Sequence, residues 1–183
     1  MSATKMRKIF TIFFILLAFA RSADAQTTSV TQTITLTIVN SIGLTFTGSG
    51  TSTGSTVTLP FASVADYSNG VTSADQAMVV QSNKSFNVSI KSSSTNFTYT
   101  GSVTPTPTVS IASVLQVWVS VNSTGGSLSY TTYSYIPSGS ATLINSGSNG
   151  ASETFSVRYK ALPGFSLPGG TYTASILYTA TQL

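Results

Sequence analysis

The sequence predicts an all-β fold, an antiparallel two-sheet sandwich, on three observations. Apolar residues recur at every second position along most of the chain, the spacing that turns one face of a strand to a core and the other to water. No stretch places them at i, i+3, i+4 and i+7, as an amphipathic helix requires. Clusters of Gly, Ser, Asn and Pro interrupt the alternation often enough to reverse the chain many times, the pattern of a sandwich of short strands.

Residues 1–25 read as a signal peptide. Lys5, Arg7 and Lys8 supply a positive start, Ile9 to Ala20 an almost unbroken apolar run, and Ala23-Asp24-Ala25 a small-x-small cleavage site before Gln26. About 12 apolar residues fall short of the roughly 20 that a spanning helix needs. No later segment is apolar enough to cross a bilayer, and no Cys follows to carry a lipid. The mature product, residues 26–183, is therefore expected to be secreted, in the periplasm, at the cell surface or outside the cell, as a single β-sandwich domain without a membrane span. A domain near 150 residues buries roughly 68–70% of its unfolded surface, enough to stand without disulfides.

The strands follow in order. Ile34, Leu36 and Ile38 alternate with Thr33, Thr35 and Thr37, giving the first strand one apolar and one hydroxyl face. Ile42, Leu44 and Phe46 repeat the pattern, as do Val57, Leu59 and Phe61. Ala77 to Gln81 and Ser85 to Ser92, the latter carrying Phe86, Val88 and Ile90, flank Ser82-Asn83-Lys84 and read as a hairpin, because Asn accepts the left-handed backbone of a tight turn. Leu115, Val117, Val119 and Val121 form the next apolar row, then Phe155, Val157 and Tyr159. The final strand carries Tyr172, Ala174, Ile176, Tyr178 and Ala180 and runs to the last residue. Turn clusters at 48–55, 68–73, 104–107, 123–127, 146–150 and 163–170 separate the runs.

Composition removes most chemistry. The chain has no Cys, no His and four acids, which excludes thiol nucleophiles, His-based triads and zinc sites of the usual ligand types. Without the leader, Lys84, Lys91, Arg158 and Lys160 stand against Asp66, Asp75 and Glu153, a net charge of +1. Phosphate binding needs clustered cations, so no nucleic-acid partner is expected. The best catalytic assemblies would join Glu153 to Arg158 or Lys160, or Asp66 to Asp75. Paired carboxylates do glycosidase chemistry only across a cleft, about 5 to 9.5 Å apart; a charge-paired strand end is the simpler account of Glu153 and its neighbours. No enzyme activity, no catalytic residue and no cofactor are predicted. Asp66, Asn69 and Asp75 around Gly70 offer oxygen ligands, but their spacing fits no calcium-loop template, and no metal site is assigned.

Two features bear on what the domain does. With seven charged residues after Gln26, its sheet edges carry few of the charges that prevent edge-to-edge pairing. Either the chain covers its own edges, or pairing with neighbours is its purpose. The last segment, from Gly170 through Leu183, is a glycine followed by a long alternating strand.

In these residues the chain resembles the subunits of bacterial chaperone-usher pili and, more loosely, spore coat protein U-like domains. In those families a glycine about fourteen residues from the end opens an alternating final strand, and Gly170 stands there. The resemblance implies an immunoglobulin-like, pilin-like sandwich that lacks one strand, the gap being filled by the N-terminal segment of the next subunit. It implies that Ile34, Leu36 and Ile38, within Gln26 to Asn40, are the pocket residues of the donor strand. Tyr172, Ala174, Ile176, Tyr178 and Ala180 would then line or border the receiving groove. Such pairing is β-augmentation, with main-chain bonds giving affinity and alternate side chains giving register. The chain departs from the family in having Gln182 where a near-terminal aromatic is usual, and in having no cysteine pair.

The residues leave open whether the N-terminal strand pairs within its own domain or with a neighbour. The reading is a secreted, non-catalytic structural or cell-surface protein, with polymerisation by exchanged strands as its sharper form and self-association or related subunits as its partners. The alternative is an adhesin-type module for a surface glycan or a protein. Trp118, on the Gln116/Ser120 side of its strand, and Tyr130, Tyr133 and Tyr135 are its candidates, since flat aromatic faces stack on sugar rings.

Overall fold

The computed structural model describes residues 28–48 and 56–183; the leader expected at 1–25 and nearly all of the turn cluster at 48–55 lie outside them. The chain divides into Met1–Thr37 and Ile38–Leu183, and the named elements all belong to the second unit. They run β1 (Ile42–Phe46), α1 (Val64–Asn69), β2 (Val71–Thr72), β3 (Gln76–Ser82), β4 (Phe86–Ser92), β5 (Thr98–Thr100), α2 (Ile111–Val114), β6 (Leu115–Asn122), β7 (Ser127–Leu128), β8 (Ser134–Tyr135), β9 (Ala141–Gly147), β10 (Gly150–Ala161), β11 (Thr171–Thr173) and β12 (Ile176–Gln182).

The predicted all-β sandwich is what forms. One sheet has the order β1-β3-β10-β6-β8, with β2 also on β10; the other has the order β12-β4-β9-β7, and β11 pairs with β5. All these pairings are antiparallel. Alternation places most of the core: Met78 and Val80 from β3, Val117 and Val119 from β6, and Phe155 and Val157 from β10 meet Phe86, Val88 and Ile90 from β4; on β9 the adjacent Leu143 and Ile144 are both buried, where the β4–β9 register shifts by one residue. Burying each such side chain contributes roughly 1.5 to 3 kcal/mol. The first sheet ends at β1 and the second at β12.

Three ties hold these two end strands. Tyr159 on β10 and Tyr178 on β12 share a hydroxyl–hydroxyl hydrogen bond of 2.6 Å across the two sheets. Phe46 on β1 meets Tyr178 edge to face, with ring centroids 6.1 Å apart. At the far end, Gln182 donates from Nε2 to the Ser41 carbonyl just before β1. Burial pushes the Tyr159 phenol up to about 12 and the Tyr178 phenol well above the usual range, because the apolar interior disfavours the phenolate.

Several expectations change on contact with the fold. The Ser82–Lys84 turn is not a hairpin: β3 and β4 belong to different sheets, so the turn is a corner of the sandwich. The Ser82 hydroxyl stiffens it by donating to the Lys84 carbonyl at 2.7 Å. Thr28 to Ser41 forms no strand, and neither does Thr56 to Ala62; alternation supplies a face, but a strand also needs a ladder partner. Val121 leaves the core and is 49% exposed, because the β6–β10 register slips between Ser156 and Val157. Arg158 pairs with Asp75 at 2.7 Å rather than with Glu153. The helices α1 and α2 have six and four residues, too short for a helical period to register in the sequence.

The tyrosine pair gives a pH test. The Tyr159 phenol titrates near 10 in the unfolded chain and at about 12 in the fold, so its contribution is complete below pH 10 and is lost as pH rises from 10 through 12. Unfolding free energies from denaturant titrations between pH 9 and pH 12 should fall more steeply for the natural chain than for Tyr159→Phe, by on the order of 2 kcal/mol. Parallel curves would show that burial of this phenol is incomplete.

Candidate functional site

The last strand is built in two pieces. Gly170 opens it at a φ of +156°, and a Cβ there would meet the Tyr99 ring, so a side chain would require that ring to move. Tyr99 fixes the approach by donating its hydroxyl to the Gly169 carbonyl at 2.9 Å. β11 then pairs with β5, Thr171 opposite Thr100. The ladder breaks at Ala174 and Ser175, where the Ser175 carbonyl accepts from the backbone N–H and hydroxyl of Ser93. β12 resumes against β4, from Ile176 opposite Ser92 to Gln182 opposite Phe86.

One flank of this strand is paired; its inward row is only half covered. Ile176, Tyr178, Ala180 and Gln182 alternate half-buried with exposed neighbours, although Ala174, Ile176, Tyr178 and Ala180 all pack against the core. Beside the strand lies a cleft of about 950 Å³. Thr171 to Ile176 line one side of it; Thr56 to Phe61 also line it. That second segment alternates half-buried Val57, Leu59 and Phe61 with exposed Thr56, Thr58 and Pro60, the habit of a strand without a ladder. The cleft floor includes Leu115, Tyr159 and Ala161. Among the described residues no charged side chain lines it.

The predicted receiving residues thus divide. Tyr172, Ala174 and Ile176 line the cleft. Tyr178 and Ala180 lie farther along β12, where Phe46 and Gln182 bring β1 and β12 together. Of the predicted donor residues, Ile34 is 84% exposed, Leu36 80% and Ile38 73%. Exposed alternating aliphatics in a chain otherwise rich in hydroxyls are an unsatisfied apolar face.

The aromatic candidates also separate. Trp118 and Tyr133 meet edge to face, ring centroids 5.6 Å apart, on the outer face of β6 and β10, and the Lys160 ammonium sits 5.9 Å from the centre of the Tyr133 ring. Beside them Arg158 grips Asp75 through Nε at 2.7 Å and Nη2 at 2.9 Å. The bonds from Arg158 and then from Ser120 hold the Asp75 carboxyl below the usual carboxylate range. Tyr130 instead packs against the core, and desolvation raises its phenol. Tyr135 is exposed on edge strand β8 and joins neither group.

The oxygen-rich loop does not converge. Asp66 closes a capping box with Ser63 at the start of α1, and the Ser63 and Ala62 backbone N–H groups lower its carboxyl; Asp75 belongs to Arg158. Sequence reasoning missed the roles of Val57, Leu59 and Phe61 as a cleft wall and of Tyr159 as the partner of Tyr178. The alternation at Val57 to Phe61 was the available signal, but nothing local says that its ladder is empty.

No protein-family model matches the chain, and no curated protein matches it. A solved structure of a chaperone-usher pilus, described in terms of rod uncoiling, is similar across 90% of this chain and all of the matched chain, with 9% sequence identity and a TM-score of 0.40.

Proposed function

We propose that the protein is a secreted, non-catalytic structural subunit that assembles by strand exchange. The segment holding Ile34, Leu36 and Ile38 from one copy lies in the cleft of the next. The observation that carries this reading is a cleft with no charged lining among the described residues, lined by the unladdered backbone of Thr56 to Phe61 and by Thr171 to Ile176, whose strands β11 and β12 each have a ladder on one flank only, β5 and β4. An extended segment laid along the cleft can hydrogen-bond to exposed strand backbone, while every second side chain, spaced about 6.6 to 6.8 Å apart, enters it. Ile34, Leu36 and Ile38 have that period and are exposed. The cleft and the donor row are both uncharged, so neither side loses the hydration of an ion when they meet. The likeness to pilus subunits at Gly170 and along the final strand supports the same reading.

A mixing experiment separates donor from acceptor. Deleting residues 26–40 should leave a folded monomer that no longer forms heat-labile ladders on a gel. Ala174→Arg, which places a charge in the cleft, should abolish ladders for the opposite reason. Together the two chains should give a single mixed dimer, the arginine chain donating to the deleted one. Exchange is wrong if the deletion unfolds the domain, or if no mixed dimer forms.

A second reading has its own observation, the Trp118–Tyr133 pair beside Lys160 and Arg158 on the outer sheet face. That patch is suited to a glycan, with an aromatic plane for the ring and charged donors for its hydroxyls. A glycan array should then show binding that Trp118→Ala weakens at least tenfold. Absence of any Trp118-dependent signal removes this reading and leaves the first untouched.

A further inference from the structure

The alternating N-terminal residues have a competing destination in their own chain. Ile34, Leu36 and Ile38 are separated from Ile42, Leu44 and Phe46 by Val39-Asn40-Ser41. Three residues make one of the commonest hairpin connections, a type I turn followed by a left-handed residue, which here would be Ser41. Reversal about Asn40 would set Ile38 opposite Ile42, Leu36 opposite Leu44 and Ile34 opposite Phe46. Every apolar side chain would fall on one face, along the flank of β1 opposite its partner β3.

Two carboxamides hold the connection against that reversal. Asn83 donates from Nδ2 to the Val39 carbonyl at 2.8 Å and accepts from the Ser41 backbone N–H at 3.0 Å. These bonds extend the β1–β3 ladder backward from the Ile42–Ser82 pair. Gln182 shares its Nε2 hydrogens among the Ser41 carbonyl at 2.8 Å, Ser82 Oγ at 3.0 Å and Asn83 Oδ1 at 3.0 Å. The Asn83 backbone N–H adds a further bond of 3.3 Å to the Ser41 carbonyl. A tight turn over 39–41 would have to withdraw these backbone groups from both carboxamides.

We propose that Asn83 and Gln182 form a latch that prevents residues 39–41 from reversing, and so directs Ile34, Leu36 and Ile38 to a second copy instead of to their own β1. The latch rests on the strand-exchange reading and sets its direction, between chains and not within one. Both are positioning residues: they act on the backbone of the connection and need touch no donor side chain. Gln182, which stands where the resembling family has an aromatic, acquires a role from this geometry.

Disulfide trapping tests it, because the chain has no Cys to compete. Thr35 and Thr45 are exposed and would face each other in the hairpin, with Cα atoms about 4.5 to 5.5 Å apart, within disulfide range. In the mature chain bearing Thr35→Cys and Thr45→Cys, mild oxidation at low concentration should give little monomeric disulfide. Adding Asn83→Ala and Gln182→Ala should raise its initial rate of formation at least tenfold and weaken the gel ladder. Equal rates with and without the latch would overturn the proposal. If the double alanine variant loses its strand circular dichroism, Gln182→Leu alone, which leaves the Asn83 side-chain bonds to Val39 and Ser41 in place, should still raise the rate several-fold, and no change there overturns it equally. A parent chain that forms no ladder refutes strand exchange, while the disulfide rates still decide whether the latch opposes the hairpin.

Discussion

A β-strand has two hydrogen-bonding flanks, and in this sandwich β12 uses one of them on β4. On its other side, β12 approaches β1 only at discrete ties: the Gln182 carboxamide at one end and the ring contact between Phe46 and Tyr178 midway. Beyond Tyr178, toward Thr171, the strand borders a cleft also lined by Thr56 to Phe61, a segment that joins no ladder. Unpaired backbone beside half-covered apolar side chains is a costly surface to leave in water. The proposed function follows from that constraint, because an incoming alternating strand satisfies backbone and side chains together.

The same constraint explains how the ties are distributed. Were β12 free to drift, the cleft would collapse or spread. The Tyr159–Tyr178 bond crosses from one sheet to the other and holds β12 at a fixed depth without filling the space beside it. Gln182 and Asn83 do comparable work at the strand's end, where they secure the connection that leads into β1. Polar side chains are thus concentrated on geometry, and the walls of the cleft are left apolar and hydroxyl-bearing. On the outer face of the first sheet, Asp75, Arg158, Lys160, Trp118 and Tyr133 form a separate cluster whose members largely satisfy one another.

Strand positions were legible wherever alternation coincided with a ladder: Phe86, Val88 and Ile90, or Phe155, Val157 and Tyr159, could be assigned to the core from spacing alone. Alternation says nothing about which strands are neighbours. The corner at Ser82 to Lys84 therefore read as a hairpin, and Val57 to Phe61 as an ordinary strand. Val121 was misplaced because a register slip depends on both partners, β6 and β10. Gly170 and the final alternating segment marked one side of the cleft, but its other side, the tyrosine pair and the Asn83–Gln182 bonds connect residues far apart in sequence and leave no local pattern.

Hydrogen exchange on a domain lacking residues 26–40, with and without a synthetic peptide of residues 28–40, measures most directly whether an alternating strand belongs in the cleft. The account predicts that the peptide slows exchange at backbone amides in 56–61 and 171–177, and that replacing the residues equivalent to Ile34 and Leu36 with Asp abolishes the protection. Protection confined to the outer face around Trp118, Tyr133 and Lys160, or none at all, would contradict it.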